Sequence, residues 1–515
     1  MQLLLSCDGG GRLGVGHVMR SLALAEAAVQ AGHKVLVAGH FEGSFLAGQL
    51  GSAPVEVAHI SAWSASGDMA PLAELVRRLH PDVLHVDAYT APERLRACVA
   101  CWGGGKVALS SMEDGTFGRR PADVVVDPTF GAELDERPRD GTTWLMAGSR
   151  YTPVRQAVIQ ARRPGSRDPG GSGQVARSVL VVMGGTDPAG LAPGAVGLLA
   201  RTGLDLQVTA IAVGRNADRV RAAAHGSALS VNVLAPVGDL AGMMSAHDLV
   251  ISAAGTSIWE LCCIGVPTAV AWAVDNQRQG YDAVVAAGAA IGLGGPELGR
   301  DEGAVDLLRT ALADWQVRAR LVAAGRAIVD GLGAWRVVRM WEQALWVPSL
   351  PVTGSPPLAV RRATVADAAQ LWAWRNDPAT RAGSRSAAEV PWEEHLRWFR
   401  ASLARTDRML LVVADPAGPV GTVRWDLKGA RQWEVSITVA PKRRGQNLAR
   451  PLLRAGEVAL AEAARASGTA LGAYLAVVNV ANPSSMRLFQ TSAYLPDLPP
   501  DPAGFMQFRK DARVT

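Results

Sequence analysis

Short apolar runs alternating with helix-length segments govern the first two thirds of this sequence, because strands joined by crossover helices are what such alternation builds. Gln2 to Ser6, Lys34 to Ala38, Val83 to Asp87, Lys106 to Leu109 and Val124 to Asp127 predict parallel strands with helices between them. The stretch Arg163 to Gly173, rich in Gly, Pro and Ser, interrupts this pattern. It restarts at Ser178 to Met183 and runs on through Leu206 to Ala212, Leu249 to Ser252 and Thr268 to Trp272, ending in helices near Trp346. A second breaker, Val347 to Pro357, precedes a different order: a strand, two helices (Val365 to Arg375, Trp392 to Arg405), three strands (Met409 to Ala414, Val420 to Leu427, Trp433 to Val439), then helix, strand and helix. The expected fold is α/β, with two similar halves at 1–161 and 174–346 and a mixed α+β domain at 358–515.

A chain of 515 residues exceeds what one core supports, so several domains are expected on length alone. Hydrophobic residues make up 49% and charged residues 19%, and the net charge of +5 is spread along the chain. No basic run is interleaved with aromatics, which argues against nucleic acid as a partner. Five cysteines without a disulfide framework fit a reducing, cytoplasmic setting. Cys98 and Cys101 form a C-x-x-C, but no second pair follows and Pro92 to Trp102 reads as a helix, so no metal is expected. The apolar opening Met1 to Leu5 reaches Asp8 too soon for a signal segment, and no run is long enough to span a bilayer.

The strand Gln2 to Ser6 enters a glycine-rich turn, Cys7 to His17, and then an amphipathic helix from Val18. Gly14 and Gly16 admit close backbone approach, and a helix start offers unpaired N–H groups to an anion. His17 sits at that helix start, where the dipole disfavours its protonated form and leaves a neutral base. A matching set lies in the second half. Gly184 and Gly185 close one strand, and Gly255 leads another into a helix that brings Thr256 and Ser257 to a phosphate and Glu260, one turn on, to ribose hydroxyls.

Taken in order, D-G-G-x-x-x-G-x-G-H-V-M-R from Asp8, V-D-A-Y at 86–89, M-G-G-T-D at 183–187, A-G-T-S-x-W-E-L-C-C-x-G-V-P at 254–267 and D-N-Q at 275–277 resemble the UDP-2,4-diacetamido-2,4,6-trideoxy-altropyranose hydrolases of pseudaminic acid biosynthesis. The resemblance covers about the first 345 residues. It implies a GT-B-like pair of Rossmann-type domains in which His17 activates water at the anomeric carbon, without a metal, and UDP leaves. Tyr89 and Asn276 are implied beside the water and sugar, and Asp8, Thr186 and Gln277 join the glycines and hydroxyls as substrate contacts. Many relatives carry arginine where this chain has Ser6.

In the last domain, the strand Trp433 to Val439 turns at Pro441 and enters a long helix through Arg444 and Gly445, an arrangement suited to a pyrophosphate. Asn482 stands where it caps the next helix. With L-W-A-W-R-N-D-P at 371–378 and W-E-E-H-L-R-W-F at 392–399, these stretches resemble the GNAT N-acetyltransferases, nearest those acting on UDP-linked 4-amino-4,6-dideoxy sugars. Acetyl-CoA is then the implied co-substrate, held by Val439, Arg444, Gly445, Gln446, Asn447, Leu448, Ala449, Asn482 and Ser485. Asn447 replaces a glycine of the family cradle. Phe489 stands where many members carry a tyrosine, and Tyr494 where phenylalanine is commoner. Glu434 is the candidate to accept the amine proton through water.

Together these readings predict a bifunctional enzyme whose small-molecule partner is a UDP-amino sugar: the C-terminal domain acetylates it and the N-terminal pair releases UDP. Two alternatives stay open at this level. The N-terminal pair could be a glycosyltransferase that delivers the sugar to an acceptor, and the GNAT domain could bind CoA with little activity.

Overall fold

The computed structural model describes the whole chain except residues 12, 61–62, 64–68, 136, 138–139, 163–174, 185–186, 188, 299–301, 347–357, 430 and 513–515 and the side chains of 276 and 346. The chain forms two compact units, Met1–Leu345 and Trp346–Thr515.

In the first unit, β1 (Gln2–Cys7), β2 (Lys34–Gly39), β3 (Glu56–His59), β4 (Val83–Asp87), β5 (Ala108–Met112), β6 (Val124–Asp127) and β7 (Trp144–Ala147) form a parallel sheet in the order β3-β2-β1-β4-β5-β6-β7. A second sheet, from β8 (Ser178–Val182), β9 (Leu206–Ile211), β10 (Leu229–Leu234), β11 (Leu249–Ala253), β12 (Thr268–Ala271) and β13 (Ile291–Gly292), runs β10-β9-β8-β11-β12-β13. Both orders reverse beside the first strand of the half, the Rossmann-type switch that opens a crevice at the carboxyl ends of the strands. Central strands such as β1 and β11 are buried on both faces and therefore read as unbroken apolar runs. The sequence reading lacks β3, β7, β10 and β13. Of these, β3 and β10 are edge strands, β3 with polar residues at both ends and β10 with polar positions between apolar ones, and β13 has only two residues.

The helix Gly333–Trp346 follows the second half in sequence but packs on the first sheet. Trp341 is fully buried against His85, ring centroids 5.3 Å apart, and donates its indole N–H to Ser110 Oγ at 2.9 Å. His33 Nε2 meets Glu342 at 2.8 Å. The boundary at 161 and 174 is thus crossed back by the last helix of the unit, because its apolar side fits under β4 and β5.

The second unit contains β14 (Ala359–Arg362), β15 (Arg408–Asp415), β16 (Gly418–Leu427), β17 (Gln432–Val439), β18 (Ala473–Asn479), β19 (Leu495–Leu498) and β20 (Phe505–Asp511), in the order β14-β15-β16-β17-β18-β20-β19. The final hairpin β19–β20 is absent from the sequence reading. Only β17 and β18 pair in parallel, and their register runs from Gln432↔Ala473 to Val435↔Ala476 before the strands part. One face is covered by the helix Ala449–Ala466, which comes so close that a Cβ on Gly456 would meet Val423 at 2.6 Å. On the other face, Leu371 and Phe399, from the helices Ala368–Asn376 and Trp392–Leu403, pack with Leu410 and Val412. Among the described residues no helix is long and apolar enough to cross a membrane.

Candidate functional site

The first site is built where β1, β4 and β5 end. After β1 the chain doubles back, with Gly10 N–H donating to Gly14 O at 2.7 Å, and Gly14 takes φ +72°, a left-handed conformation that glycine alone adopts without strain. The helix Gly16–Gln30 then starts with no side chain capping it. A Cβ on Gly16 would lie 3.2 Å from the Thr256 methyl, so this glycine lets the glycine turns of the two halves face each other at close range.

His17 Nδ1 stands 2.7 Å from Asp87 Oδ1, at the end of β4. Arg20, one helical turn on from His17, binds the same carboxylate through Nε at 2.5 Å and Nη2 at 2.7 Å, and binds both oxygens of Asp114 through Nη1 at 2.7 and 2.8 Å. Tyr89 donates its hydroxyl to Asp114 and meets His17 edge to face, centroids 4.6 Å apart. Burial by itself would raise the Asp87 carboxyl, but Arg20 and His17 outweigh it and hold it well below the usual range. Arg20 is raised: desolvation opposes this, and the two aspartates prevail. Burial, then Asp114, pushes the Tyr89 hydroxyl up, so it stays protonated.

Nη2 of Arg20 also approaches His17 Nδ1, at 3.1 Å. An ionised carboxylate only accepts, so the Nδ1 proton points to Asp87 and the Nε2 lone pair remains for a ligand. This is the orienting logic of a base held in one tautomer by a buried acid. The sequence reading chose His17 and Tyr89 but not Asp87, Arg20 or Asp114. Two signals were present: Arg20 three residues after His17, and Asp87 closing an apolar strand two residues before Tyr89.

Asp8, expected among the substrate contacts, has a structural role here. It is buried, and its two oxygens accept the backbone N–H groups of His40 at 2.9 Å and Trp63 at 2.8 Å, tying together the segments that follow β2 and β3. Ser6 is also buried and accepts the Trp63 indole N–H at 3.1 Å.

In the second half, Gly184 takes φ +83° in open space. Gly185, Thr186 and the Asn276 side chain lie outside the described residues. Asp187 accepts the N–H groups of Leu191 at 2.8 Å and Ala192 at 2.9 Å, fixing the start of the helix Ala192–Arg201. Gln277 Oε1 accepts Ala273 N–H at 2.8 Å, and its amide nitrogen lies 3.5 Å from where a Cβ on Gly255 would stand. Gln277 therefore braces the turn at Gly255. Thr256 is exposed, and the helix Ser257–Ile264 has no side-chain cap. Its first donors are available to an anion. Glu260 has its carboxyl pushed up to about 7 by desolvation, with Arg155 opposing.

In the second unit, the turn after β17 carries Arg444, Gly445 at φ +78° and Asn447 at φ +55°, and Gln446 and Asn447 are exposed. Asn447 thus holds a left-handed conformation, which Asn tolerates better than most residues. Leu448 precedes Ala449 at the start of the helix Ala449–Ala466, which no side chain caps. Arg444 is held by Asp377 and by Thr380 Oγ1, both at 2.6 Å. Val439 ends β17 beyond the point where it leaves β18. Asn482 caps its helix as expected, accepting Ser485 N–H at 3.0 Å.

Tyr494 is fully buried and gives its hydroxyl to Glu457 at 2.8 Å; burial and then Glu457 raise it far above its ordinary value. It belongs to the packing around Phe489, 5.1 Å from that ring. Glu434 lies in the still-paired part of β17, opposite Asp426, with Lys428 at 3.8 Å. It faces away from the helix Ala449–Ala466, on the side of the sheet shared with Arg424 and Asp426.

Comparison with known proteins places family likeness on this geometry. Residues 358–492 match the acetyltransferase (GNAT) domain. The chain is 26% identical to the spore coat polysaccharide biosynthesis protein SpsG of Bacillus subtilis over 353 residues, 66% of this chain and 98% of that protein. It is 20% identical to the uncharacterized protein MJ1062 of Methanocaldococcus jannaschii over 424 residues, 80% of each. Among solved structures, Acinetobacter baumannii MurG aligns over 66% of this chain and 99% of its own, at 17% identity and TM-score 0.48. Spermidine N-acetyltransferase from Vibrio cholerae, in complex with CoA and spermine, aligns over 30% and 95%, at 16% identity and TM-score 0.27. The chain joins two parallel-sheet Rossmann-type halves to an acetyltransferase (GNAT) domain.

Proposed function

We propose that the first unit hydrolyses a UDP-linked diacetamido-trideoxy sugar, releasing UDP and the free sugar, and that the GNAT domain supplies its substrate by acetylating the 4-amine with acetyl-CoA. The observation that carries the reading is the His17–Asp87 pair at the mouth of the first sheet, facing the uncapped helix Ser257–Ile264 across Gly16 and Thr256. UDP leaves readily once helix ends neutralise its phosphates, so one base suffices. His17 Nε2 takes the proton of the attacking water, the new C–O bond forms at the anomeric carbon, and the bond to UDP breaks with its electron pair leaving on phosphate oxygen. Thr256 and Ser257 bind phosphate, and Glu260 accepts the ribose hydroxyls. Asn276 and Tyr89 stand by the water and sugar.

In the second unit the turn from Val439 to Ala449 holds the CoA pyrophosphate, Asn482 and Ser485 order the neighbouring helix, and Glu434 receives the amine proton through water. The similarity to a protein named for polysaccharide biosynthesis supports a sugar substrate. Mass spectrometry of products from the UDP-4-amino-4,6-dideoxy sugar and acetyl-CoA tests both halves: wild type gives free diacetamido sugar and UDP, whereas His17→Ala stops at the acetylated UDP-sugar. UDP release undiminished in His17→Ala refutes the reading.

A further inference from the structure

The polarity of the hydrogen bonds around His17 bears on which nucleophile the site accepts. His17 gives its Nδ1 proton to Asp87 and presents Nε2 as an acceptor, with no protein partner for Nε2 among the described residues. Asp114 has both oxygens on Arg20 Nη1 and can only accept. Tyr89 must therefore spend its single proton on Asp114, and what it turns outward is oxygen lone pairs. Two buried or half-buried carboxylates thus fix the protons of two rings that meet edge to face with centroids 4.6 Å apart.

Resting on the hydrolytic reading, we infer that this pair of fixed acceptors selects water over alcohols. Water has two hydrogens, one for Nε2 and one for Tyr89, and a lone pair left for the anomeric carbon. An alcohol has one hydrogen. If it goes to His17, as proton transfer requires, the alcohol oxygen meets the Tyr89 oxygen lone pair to lone pair with nothing between them. Tyr89 contacts the nucleophile, and Asp114 is a positioning residue that fixes which way the Tyr89 proton points.

The chemistry is the same for either nucleophile. One O–H bond breaks toward His17 Nε2, one C–O bond forms, and UDP leaves with the electron pair, so the product is the free sugar from water or an alkyl glycoside from an alcohol. Product partition is therefore an internal competition, and a variant that is merely less stable or slower loses both products alike.

The full-length protein is incubated with the UDP-diacetamido sugar in buffer containing methanol, and free sugar and methyl glycoside are quantified by mass spectrometry. Wild type yields almost only free sugar. Tyr89→Phe removes the second acceptor and shifts the ratio toward methyl glycoside by about five-fold, the scale of one hydrogen bond. Asp114→Asn shifts it the same way, because its amide donates to Tyr89 and turns that hydroxyl outward. A ratio unchanged within a factor of about two in both variants overturns the inference while leaving hydrolysis standing. A wild type that releases no free sugar overturns the hydrolytic reading and this inference with it.

Discussion

Asp87 Oδ1 lies 2.7 Å from the ring nitrogen of His17, although 70 residues separate the two in sequence. Asp87→Asn keeps the shape but replaces an acceptor-only group with one that also donates, so the imidazole loses its fixed tautomer. UDP release is expected to fall by about a thousand-fold or more, with acetyl transfer unchanged. Initial rates of UDP formation against CoA release in one preparation check this, and an Asp87→Asn enzyme with near wild-type UDP release contradicts it.

Glu260 gives the proposed uridine site a pH dependence. Desolvation raises its carboxyl from 4.5 to about 7, and only the ionised form accepts both ribose hydroxyls, because the neutral acid turns one oxygen into a donor. Raising the pH through 7 ionises the group and favours UDP; lowering it does the reverse. UDP affinity in wild type should weaken about ten-fold from pH 8 to pH 6, as the ionised fraction falls. Calorimetric titration of Glu260→Gln should give a much flatter profile, and this comparison removes the contribution of the phosphate's own titration.

His85 makes the first unit acid-sensitive. It is fully buried between Ser110 and Trp341, and desolvation lowers it from 6.5 to about 4. A depressed histidine contributes stability that is fully present above pH 6.5 and is lost as pH falls toward 4, because the unfolded chain takes the proton first. The loss attributable to this side chain is about 3 kcal/mol. His85→Phe, which cannot titrate, should lose correspondingly less between pH 7 and pH 4 in calorimetric unfolding. Parallel losses in the two proteins rule this out.

Asn447 tests the proposed acetyl-CoA turn. Its φ of +55° is one that glycine adopts freely and a β-branched residue does not. Asn447→Gly should leave folding intact and CoA affinity equal or tighter. Asn447→Val should cost about 1–2 kcal/mol of local strain and weaken CoA binding. Titration of both variants with CoA decides it, and equal affinity for Gly and Val shows that this backbone conformation does not matter to the ligand.

Read alone, the sequence determined those features whose cause is local. Runs such as Leu3 to Leu5 and Val124 to Val126 are apolar throughout because central parallel strands are buried on both faces, so they are visible in the sequence. Gly14 and Asn482 act through the few residues beside them, and His17 is marked by its place at a helix start. Tertiary structure decided whatever depends on residues far apart in the chain meeting at the strand ends. Arg20 reaches Asp87 and Asp114 across 67 and 94 positions, and Trp341 reaches Ser110 across 231. It also gave Asp8 to two backbone amides, set Thr256 against Gly16 and turned Tyr494 toward Glu457. Periodicity reports which face of an element is buried, whereas the partner of a charge is fixed only when the sheet order brings two strand ends together.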